Sequence, residues 1–156
     1  MTLVRNVLRS SLSSIAYLRY LFPEDDFTDT QLAGLKIKSL VPDKNPEIIA
    51  LTEWLEKGVF DALERHYLRA LVFSVFARLN DPSSLLESYT FKFTYPDDEN
   101  ISMNIIAGGV DAEFATKEQI QQAWCTLIRT LITLSHTLPP LPSERYFAMR
   151  VYYYDE

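Results

Sequence analysis

Apolar residues near the start of the chain recur every three or four positions, which predicts an amphipathic helix over residues 3–21. Pro23 and the acidic residues behind it end this pattern. A second helix is predicted over residues 46–66, because Asn45 is a favourable N-cap and Pro46 suits the first helical position, where a missing N–H costs nothing. Each helix carries one apolar face, so both are expected to pack on a common core.

A third helix is predicted over residues 117–138. Thr116 and Gln119 form a T-x-x-Q capping box, and a wide apolar stripe follows them. Gly58, in the middle of the second predicted helix, costs about 1 kcal/mol relative to alanine. Two interpretations of this glycine stay open: it is merely tolerated, or a side chain there would clash with a close neighbour.

The strands are predicted from shorter patterns. Residues 85–95 alternate aromatic and polar side chains, as expected for a strand with one face on the core. Residues 68–79 are apolar on both faces, which predicts a central strand under a helical layer that pairs with 85–95 as a hairpin. One face of this central strand carries Leu71, Phe73 and Val75, and the other carries Val72 and Phe76.

The last eleven residues, 146–156, predict a strand that has no later neighbour in the sequence. An unpaired strand offers its N–H and C=O groups to an extended partner, so this feature argues for peptide capture or for a missing piece of chain. Shorter strands are predicted over residues 35–41 and 101–105, the latter broken by the glycines at 108–109. The sum is an α+β domain with three long helices packed on a small, mostly antiparallel sheet.

Composition supports one domain over residues 1–156, since a chain of this length with 47% hydrophobic residues can bury a single core. The net charge of −6 and the lack of a basic stripe argue against direct nucleic-acid binding. Cys125, the single cysteine, excludes an internal disulfide and fits a reducing compartment, the cytosol or nucleus. No apolar run reaches the length of about 18 residues that a membrane span requires.

The sequence contains no phosphate-binding loop, dinucleotide fingerprint, metalloprotease motif or nucleophile elbow. Its two histidines, His66 and His136, lie 70 positions apart, and His136 falls within the third predicted helix. Neither is expected to act as a catalytic base. The expectation is therefore a binding protein that has no enzymatic activity, no cofactor and no metal.

Several motifs taken together resemble the HORMA domain. They are the runs at residues 13–19 and 21–23, Tyr67-Leu68-Arg69, residues 87–93, 127–129 and 138–142, and the ending at residues 151–156. The Phe-Lys-Phe strand and the Tyr-Tyr-Asp-Glu ending are similar to the meiotic chromosome-axis class of the family rather than to its spindle-checkpoint or translesion-polymerase adaptor classes. The resemblance covers nearly the whole chain.

This resemblance implies an adaptor on meiotic chromosomes in the nucleus that assembles axis complexes for homolog pairing, recombination and checkpoint signalling. The adaptor would hold a closure-motif peptide, from an axis protein or from its own tail, against the final strand. Backbone pairing would supply affinity, and side-chain pockets would supply specificity. The residues that the resemblance assigns to this peptide-binding edge are Tyr146, Phe147, Ala148, Met149, Arg150, Val151, Tyr152, Tyr153 and Tyr154.

In the family a C-terminal segment called the safety belt wraps over the peptide and pairs with the opposite sheet edge. The resemblance assigns that belt-pairing edge to Glu87, Tyr89, Phe91, Phe93 and Tyr95. The belt would begin after Glu156 and is expected to be absent from this chain. Three explanations stay open: a sequence cut before the belt, a longer protein whose mobile belt is left out of this sequence, and a naturally belt-less member.

Two further partners are implied by the resemblance. Arg129 matches an arginine that helps checkpoint-type HORMA proteins dimerise, although an exposed helix arginine paired with solvent is an equal alternative. A hexameric AAA+ remodelling ATPase would engage the N-terminal segment, residues 1–9, if this helix end is frayed. A belt-less scaffold that forms an obligate HORMA–HORMA dimer and an adaptor of the checkpoint or translesion type stay as alternative functions.

Overall fold

The helices and strands of this protein form one layer of helices on one face of an antiparallel sheet. The computed structural model describes residues 2–32, 34–98, 101–107, 110–115 and 120–154. Its elements are α1 (Thr2–Leu18), β1 (Phe27–Leu32), β2 (Leu35–Leu40), α2 (Pro46–Trp54), a π-helical turn (Leu55–Val59), α3 (Phe60–Glu64), β3 (Leu68–Phe76), β4 (Leu85–Thr94), β5 (Ser102–Ala107), β6 (Val110–Ala115), α4 (Ile120–Thr137) and β7 (Tyr146–Tyr153). The predicted α+β class is confirmed.

Five strands form the main sheet in the order β6, β5, β4, β3, β7, and every neighbouring pair is antiparallel. The predicted hairpin of β3 and β4 is confirmed: Leu71 lies opposite Phe91 and Phe73 opposite Tyr89. β1 and β2 form a separate two-stranded hairpin that contacts α1. Sequence alternation predicted β2 and β5 but missed β1 and β6.

The core lies between the main sheet and the helices. Leu71, Phe73 and Val75 of β3 are buried, as are Phe91 and Phe93 of β4, because alternate residues of a strand share one face. Buried side chains from the helices pack against this row: Leu8, Leu12, Ile15, Val59, Phe60, Leu63, Leu131 and Leu134. The helical layer therefore covers this face of the sheet.

The opposite face of β3 corrects one prediction. Val72 and Phe76 were expected to be buried under a second layer, but both are only half-buried. Although the side chains on both faces of β3 are largely apolar, only one face of this strand is fully buried.

The second predicted helix is continuous in the structure, but it changes winding midway. Asn45 caps α2 by accepting a hydrogen bond from the Glu47 N–H at 3.0 Å, as the sequence predicted. The π-helical turn carries Gly58, and an added Cβ at this position would meet nothing within 4 Å. The clash interpretation of this glycine is therefore wrong.

The predicted first helix ends three residues too late, because α1 ends at Leu18. Tyr20 adopts a left-handed φ of 55°, and the Leu21 N–H donates to Ala16 O at 2.9 Å, which closes the helix end. The predicted capping box at Thr116 and Gln119 lies outside the described residues.

Candidate functional site

The strand β7 lies at one end of the main sheet, and among the described residues only β3 pairs with it. Met149 lies opposite Phe73 and Arg150 opposite Val72. The structure thus places the predicted peptide-binding residues, 146–154, together along an open sheet edge. Their role in binding a peptide stays a prediction.

The backbone of β7 shows which residues would face a partner. The Tyr154 N–H donates to Tyr67 O at 2.8 Å, so the backbone groups of Tyr154 point toward β3. Successive residues of an antiparallel strand direct these groups to opposite edges. Phe147, Met149 and Val151 therefore direct their N–H and C=O groups to the open edge.

The side chains of β7 divide between the two faces of the sheet. Phe147, Met149 and Val151 pack partly buried against the core, whereas Ala148, Arg150 and the tyrosines are exposed. A peptide that paired with β7 would direct alternate side chains to these two faces in the same way.

A groove of about 550 Å³ follows the first half of β7 on the helix side. One of its walls is a single face of α2, since its residues are spaced at helical intervals: Glu47, Ala50, Leu51 and Trp54. The other wall consists of Leu79 and the stretch from Arg145 to Met149. This helix-side groove was missed by the sequence analysis, because periodicity shows that α2 has such a face but not which strand lies beside it.

A second groove, of about 390 Å³, lies at the same end of β7 beside the turn that joins β3 to β4. Arg78 and Asp81 of this turn form an ion pair at 2.8 Å, so each of these two charged side chains already has a partner. Arg150 of β7 also lines this turn-side groove, and it has no hydrogen bond or ion pair with any described residue. The first half of β7 therefore runs between two grooves.

The other end of β7 is tied down by tyrosines. The Tyr154 hydroxyl donates to Phe93 O at 2.6 Å, and the Tyr95 hydroxyl donates to Leu68 O at 2.7 Å. Tyr153 packs on Tyr67 with 5.2 Å between the ring centroids. Burial is the main cause that raises the pKa of the Tyr95 hydroxyl above its ordinary value, so it stays protonated as a donor.

The second predicted edge is not an edge in this structure. β5 pairs along β4 from Tyr89 to Thr94, so β4 has β5 on one side and β3 on the other. Of the predicted edge residues Glu87, Tyr89, Phe91, Phe93 and Tyr95, the middle three therefore do not lie on an uncovered edge, because alternation shows a strand's faces but not its neighbours. Pairing of this strand with a belt stays a prediction.

Glu87 instead belongs to a buried ion pair. The Arg19 Nε lies 2.9 Å from Glu87 Oε1, and the two side chains are 6% and 7% exposed. Arg19 also donates to Pro139 O at 2.7 Å, and the Tyr89 hydroxyl donates to Glu87 at 3.3 Å. These contacts join the end of α1 to β4 and to the loop after α4.

The N-terminal segment, predicted to be a frayed handle, is packed in the described residues. Residues 2–9 lie within α1, where Val7 and Leu8 are buried. Arg5 forms an ion pair with Glu64 at 3.2 Å, and Arg9 forms one with Glu56. Engagement of residues 1–9 by a AAA+ ATPase stays a prediction.

Arg129, the predicted self-association residue, lies exposed on α4. It makes no hydrogen bond or ion pair with the residues that the structure describes, so its charge is available to a partner. Nothing else in the structure bears on dimerisation, which stays a prediction.

Within the described part of the chain, no group of three or more His, Cys, Asp and Glu residues is placed to hold a metal ion. A search of the same residues finds no helix with the length and apolar character needed to cross a membrane. The strand β7 presents the backbone of its open edge and the side chains that line its two grooves.

A family model described as "HORMA domain" matches residues 1–156. Among curated relatives, the meiosis-specific protein ASY1 of Arabidopsis thaliana is 39% identical over 166 residues, which cover 99% of this chain and 27% of that protein. HORMA domain-containing protein 2 of Bos taurus is 35% identical over 155 residues, which cover 98% of this chain and 50% of that protein. The chain thus spans between about a quarter and a half of the length of these relatives.

Solved structures show the same fold at lower identity. Caenorhabditis elegans HTP-2 bound to the HIM-3 closure motif matches with a TM-score of 0.76 and 18% identity, and the match covers 98% of this chain and 68% of that chain. A chain of the mitotic checkpoint complex matches with a TM-score of 0.73 and 18% identity, covering 99% of this chain and 75% of that chain. These matches bear on the fold alone.

Proposed function

Because this chain belongs to the HORMA domain family, whose members are non-enzymatic protein-interaction adaptors, we propose that it captures a closure-motif peptide on the open edge of β7. The observation that carries this proposal is an unpaired edge with a groove on each side. Added strands gain affinity from main-chain hydrogen bonds and specificity from pockets for alternate side chains. HTP-2, which shares the fold, is described as bound to a closure motif.

The place of action that we propose is the meiotic chromosome axis in the nucleus. ASY1 is named as meiosis-specific, and 99% of this chain aligns with it at 39% identity. In this proposal, capture of a peptide from an axis protein, or from the protein's own tail, assembles complexes that support homolog pairing, recombination and checkpoint signalling.

Two further partners belong to the same proposal. A belt segment that paired with β4 would have to displace β5 and β6, because β5 already pairs there. A AAA+ ATPase that drew on residues 1–9 would have to break the ion pairs of Arg5 and Arg9. Both partners would therefore act on packed elements.

The experiment that tests peptide capture uses a phage-displayed library of random 16-residue peptides, selected on the full chain. Enriched peptides are synthesised, and their affinity is measured by fluorescence anisotropy. Met149→Pro removes one N–H from the open edge, so affinity should fall about tenfold or more. Met149→Leu keeps that N–H and a similar volume, and it should bind as the wild type does.

Circular dichroism and the thermal unfolding midpoint establish that both variants are folded. Enriched peptides that bind the folded Met149→Pro variant as tightly as the wild type would overturn the proposal. A library that yields no enriched peptide at all would also overturn it.

A further inference from the structure

The two grooves beside β7 differ in chemistry, and the difference extends the proposed function on which this inference rests. Trp54, Leu51 and Ala50 of α2 give the helix-side groove its apolar surface, and the formal charges of Glu47 and Arg145, which also line it, cancel. Arg150 places a cation without a described ion-pair partner in the turn-side groove. A strand paired with β7 would expose its alternate side chains to these two environments.

We propose that the peptide captured by this chain is recognised by alternation, with large apolar side chains directed to α2 and acidic side chains directed to Arg150. The first step rests on the backbone of β7. A peptide residue that pairs with Met149 has its side chain on the helix face, as Met149 does, and the residues on either side of it have theirs on the outer face. Apolar and acidic residues would therefore occur at alternate positions.

The apolar half of the pattern follows from the helix-side groove. Its volume of about 550 Å³ is in the range of pockets that hold compact ligands, so it has room for large side chains. Leu51 is 7% exposed and Trp54 is partly buried, so they form a firm apolar floor. A half-buried tryptophan in such a groove is the kind of residue that dominates binding energy at interfaces.

The acidic half follows from the charges on the outer face. The charged residues that line the turn-side groove there are Arg78, Asp81 and Arg150, and Arg78 and Asp81 pair with each other at 2.8 Å. The lining of this groove therefore carries one net positive charge, which belongs to Arg150. An acidic side chain next to Arg150 would form a charge-assisted hydrogen bond with it.

The test repeats the random 16-residue peptide selection with three further variants and reads the sequences of the enriched peptides. Wild type should enrich peptides in which large apolar residues alternate with Asp or Glu. Arg150→Glu should replace the acids by Lys or Arg, and it should weaken wild-type-selected peptides roughly ten- to hundredfold. Trp54→Ala should reduce the preference for large apolar residues and leave the acids in place.

Lys57→Glu is the matched control for the charge change, because Lys57 is exposed and lies outside both grooves. It should enrich the same peptides as the wild type. Two results would overturn this inference without overturning peptide capture. In the first, enriched peptides depend on the Met149 N–H but their sequences show no alternation. In the second, selection on the Arg150→Glu variant still enriches acidic residues. Enriched peptides that bind the Met149→Pro variant as tightly as the wild type would overturn both this inference and the proposed peptide capture.

A second copy of the chain is the other possible occupant of the edge. Sedimentation of the wild type alone and with a synthesised enriched peptide distinguishes the two. A monomer that binds one peptide supports the inference, and a dimer that the peptide does not dissociate overturns it.

Discussion

Arg19 and Glu87 form the most deeply buried ion pair in the described part of the chain, and its burial determines the effect of mutation. Removing one partner leaves an uncompensated charge in the interior, which costs about 3–5 kcal/mol. Glu87→Gln, which keeps the shape, should therefore lower the free energy of unfolding by about that amount. Urea denaturation followed by circular dichroism measures the change.

Arg65→Gln is the control for this prediction, because it breaks an exposed ion pair with Asp61 and should cost less than about 1 kcal/mol. The double change Arg19→Met with Glu87→Leu should recover much of the lost stability, since an apolar pair of similar volume leaves no buried charge. A Glu87→Gln variant as stable as the Arg65→Gln control would show that the buried pair contributes no more than an exposed one.

Two tyrosines predict how stability depends on alkaline pH. Burial is the main cause that raises the pKa of Tyr89 and of Tyr95 above the ordinary value near 10. Below pH 10 both hydroxyls are protonated in the folded and unfolded states, so this contribution to stability is complete. Above pH 10 the unfolded chain loses these protons first, and stability should fall as pH rises.

The measurement is urea denaturation between about pH 8 and pH 11, a range that brackets the ordinary tyrosine pKa. Replacing Tyr89 and Tyr95 by phenylalanine removes both titrations, so the fall in stability should become shallower. An equally steep fall in the double phenylalanine variant would assign the alkaline transition to other groups.

At the scale of the element, the π-helical turn offers a stabilising change. Gly58 is exposed, and an added Cβ there would have no neighbour within 4 Å. Alanine loses less backbone entropy than glycine on folding, so Gly58→Ala should raise the free energy of unfolding by about 0.5–1 kcal/mol. Thermal and urea denaturation measure the gain.

Gly34 provides the opposite control. Its φ of 82° in the turn between β1 and β2 is left-handed, so Gly34→Ala should destabilise the protein by about 1–2 kcal/mol. If Gly58→Ala destabilises the protein as Gly34→Ala does, the π-helical turn must require glycine for a reason other than space.

The elements also show what local sequence can predict. The 3.6-residue period located α1, the continuous segment from α2 through α3, and α4 to within a few residues, because packing on one core imposes that period on the sequence. The order of strands depends instead on contacts between distant residues, so the paired state of β4 could not be predicted from its own alternation.

Only part of the candidate site could be predicted from the local sequence. The strand β7 was predictable, because its pattern is local. The helix-side groove was not, since it forms only where the Leu51 and Trp54 face of α2 meets residues almost a hundred positions later. The resemblance to a family suggested the edge but not the chemistry of its two sides.

At the scale of the whole molecule, Arg129 provides a test of self-association. Its exposure on α4 means that Arg129→Glu should leave the thermal midpoint unchanged. If α4 forms a HORMA–HORMA contact through this arginine, the change should weaken the dimer, as measured by sedimentation over a range of concentrations. Lys57→Glu is the control, and equal oligomerisation of both variants with the wild type would contradict a role for Arg129.

The N-terminal half of α1 determines how readily the molecule could be opened from that end. Arg5 and Arg9 both lie over the Phe60 ring, at 5.7 and 5.2 Å from its centroid, and each also pairs with a glutamate of the neighbouring helical segment. Cation–π contacts at exposed sites contribute about 0.5–1 kcal/mol each. Replacing both arginines by glutamine should therefore loosen residues 4–9 locally without unfolding the core.

Hydrogen exchange followed by mass spectrometry measures this loosening by segment. In the double glutamine variant, amides of residues 4–9 should exchange several times faster than in the wild type, since opening costs less free energy. Amides of β3, whose side chains form the buried row, should keep their protection. Faster exchange in β3 as well would mean that α1 and the sheet open together, and that force on the N-terminus would unfold the domain rather than release one helix end.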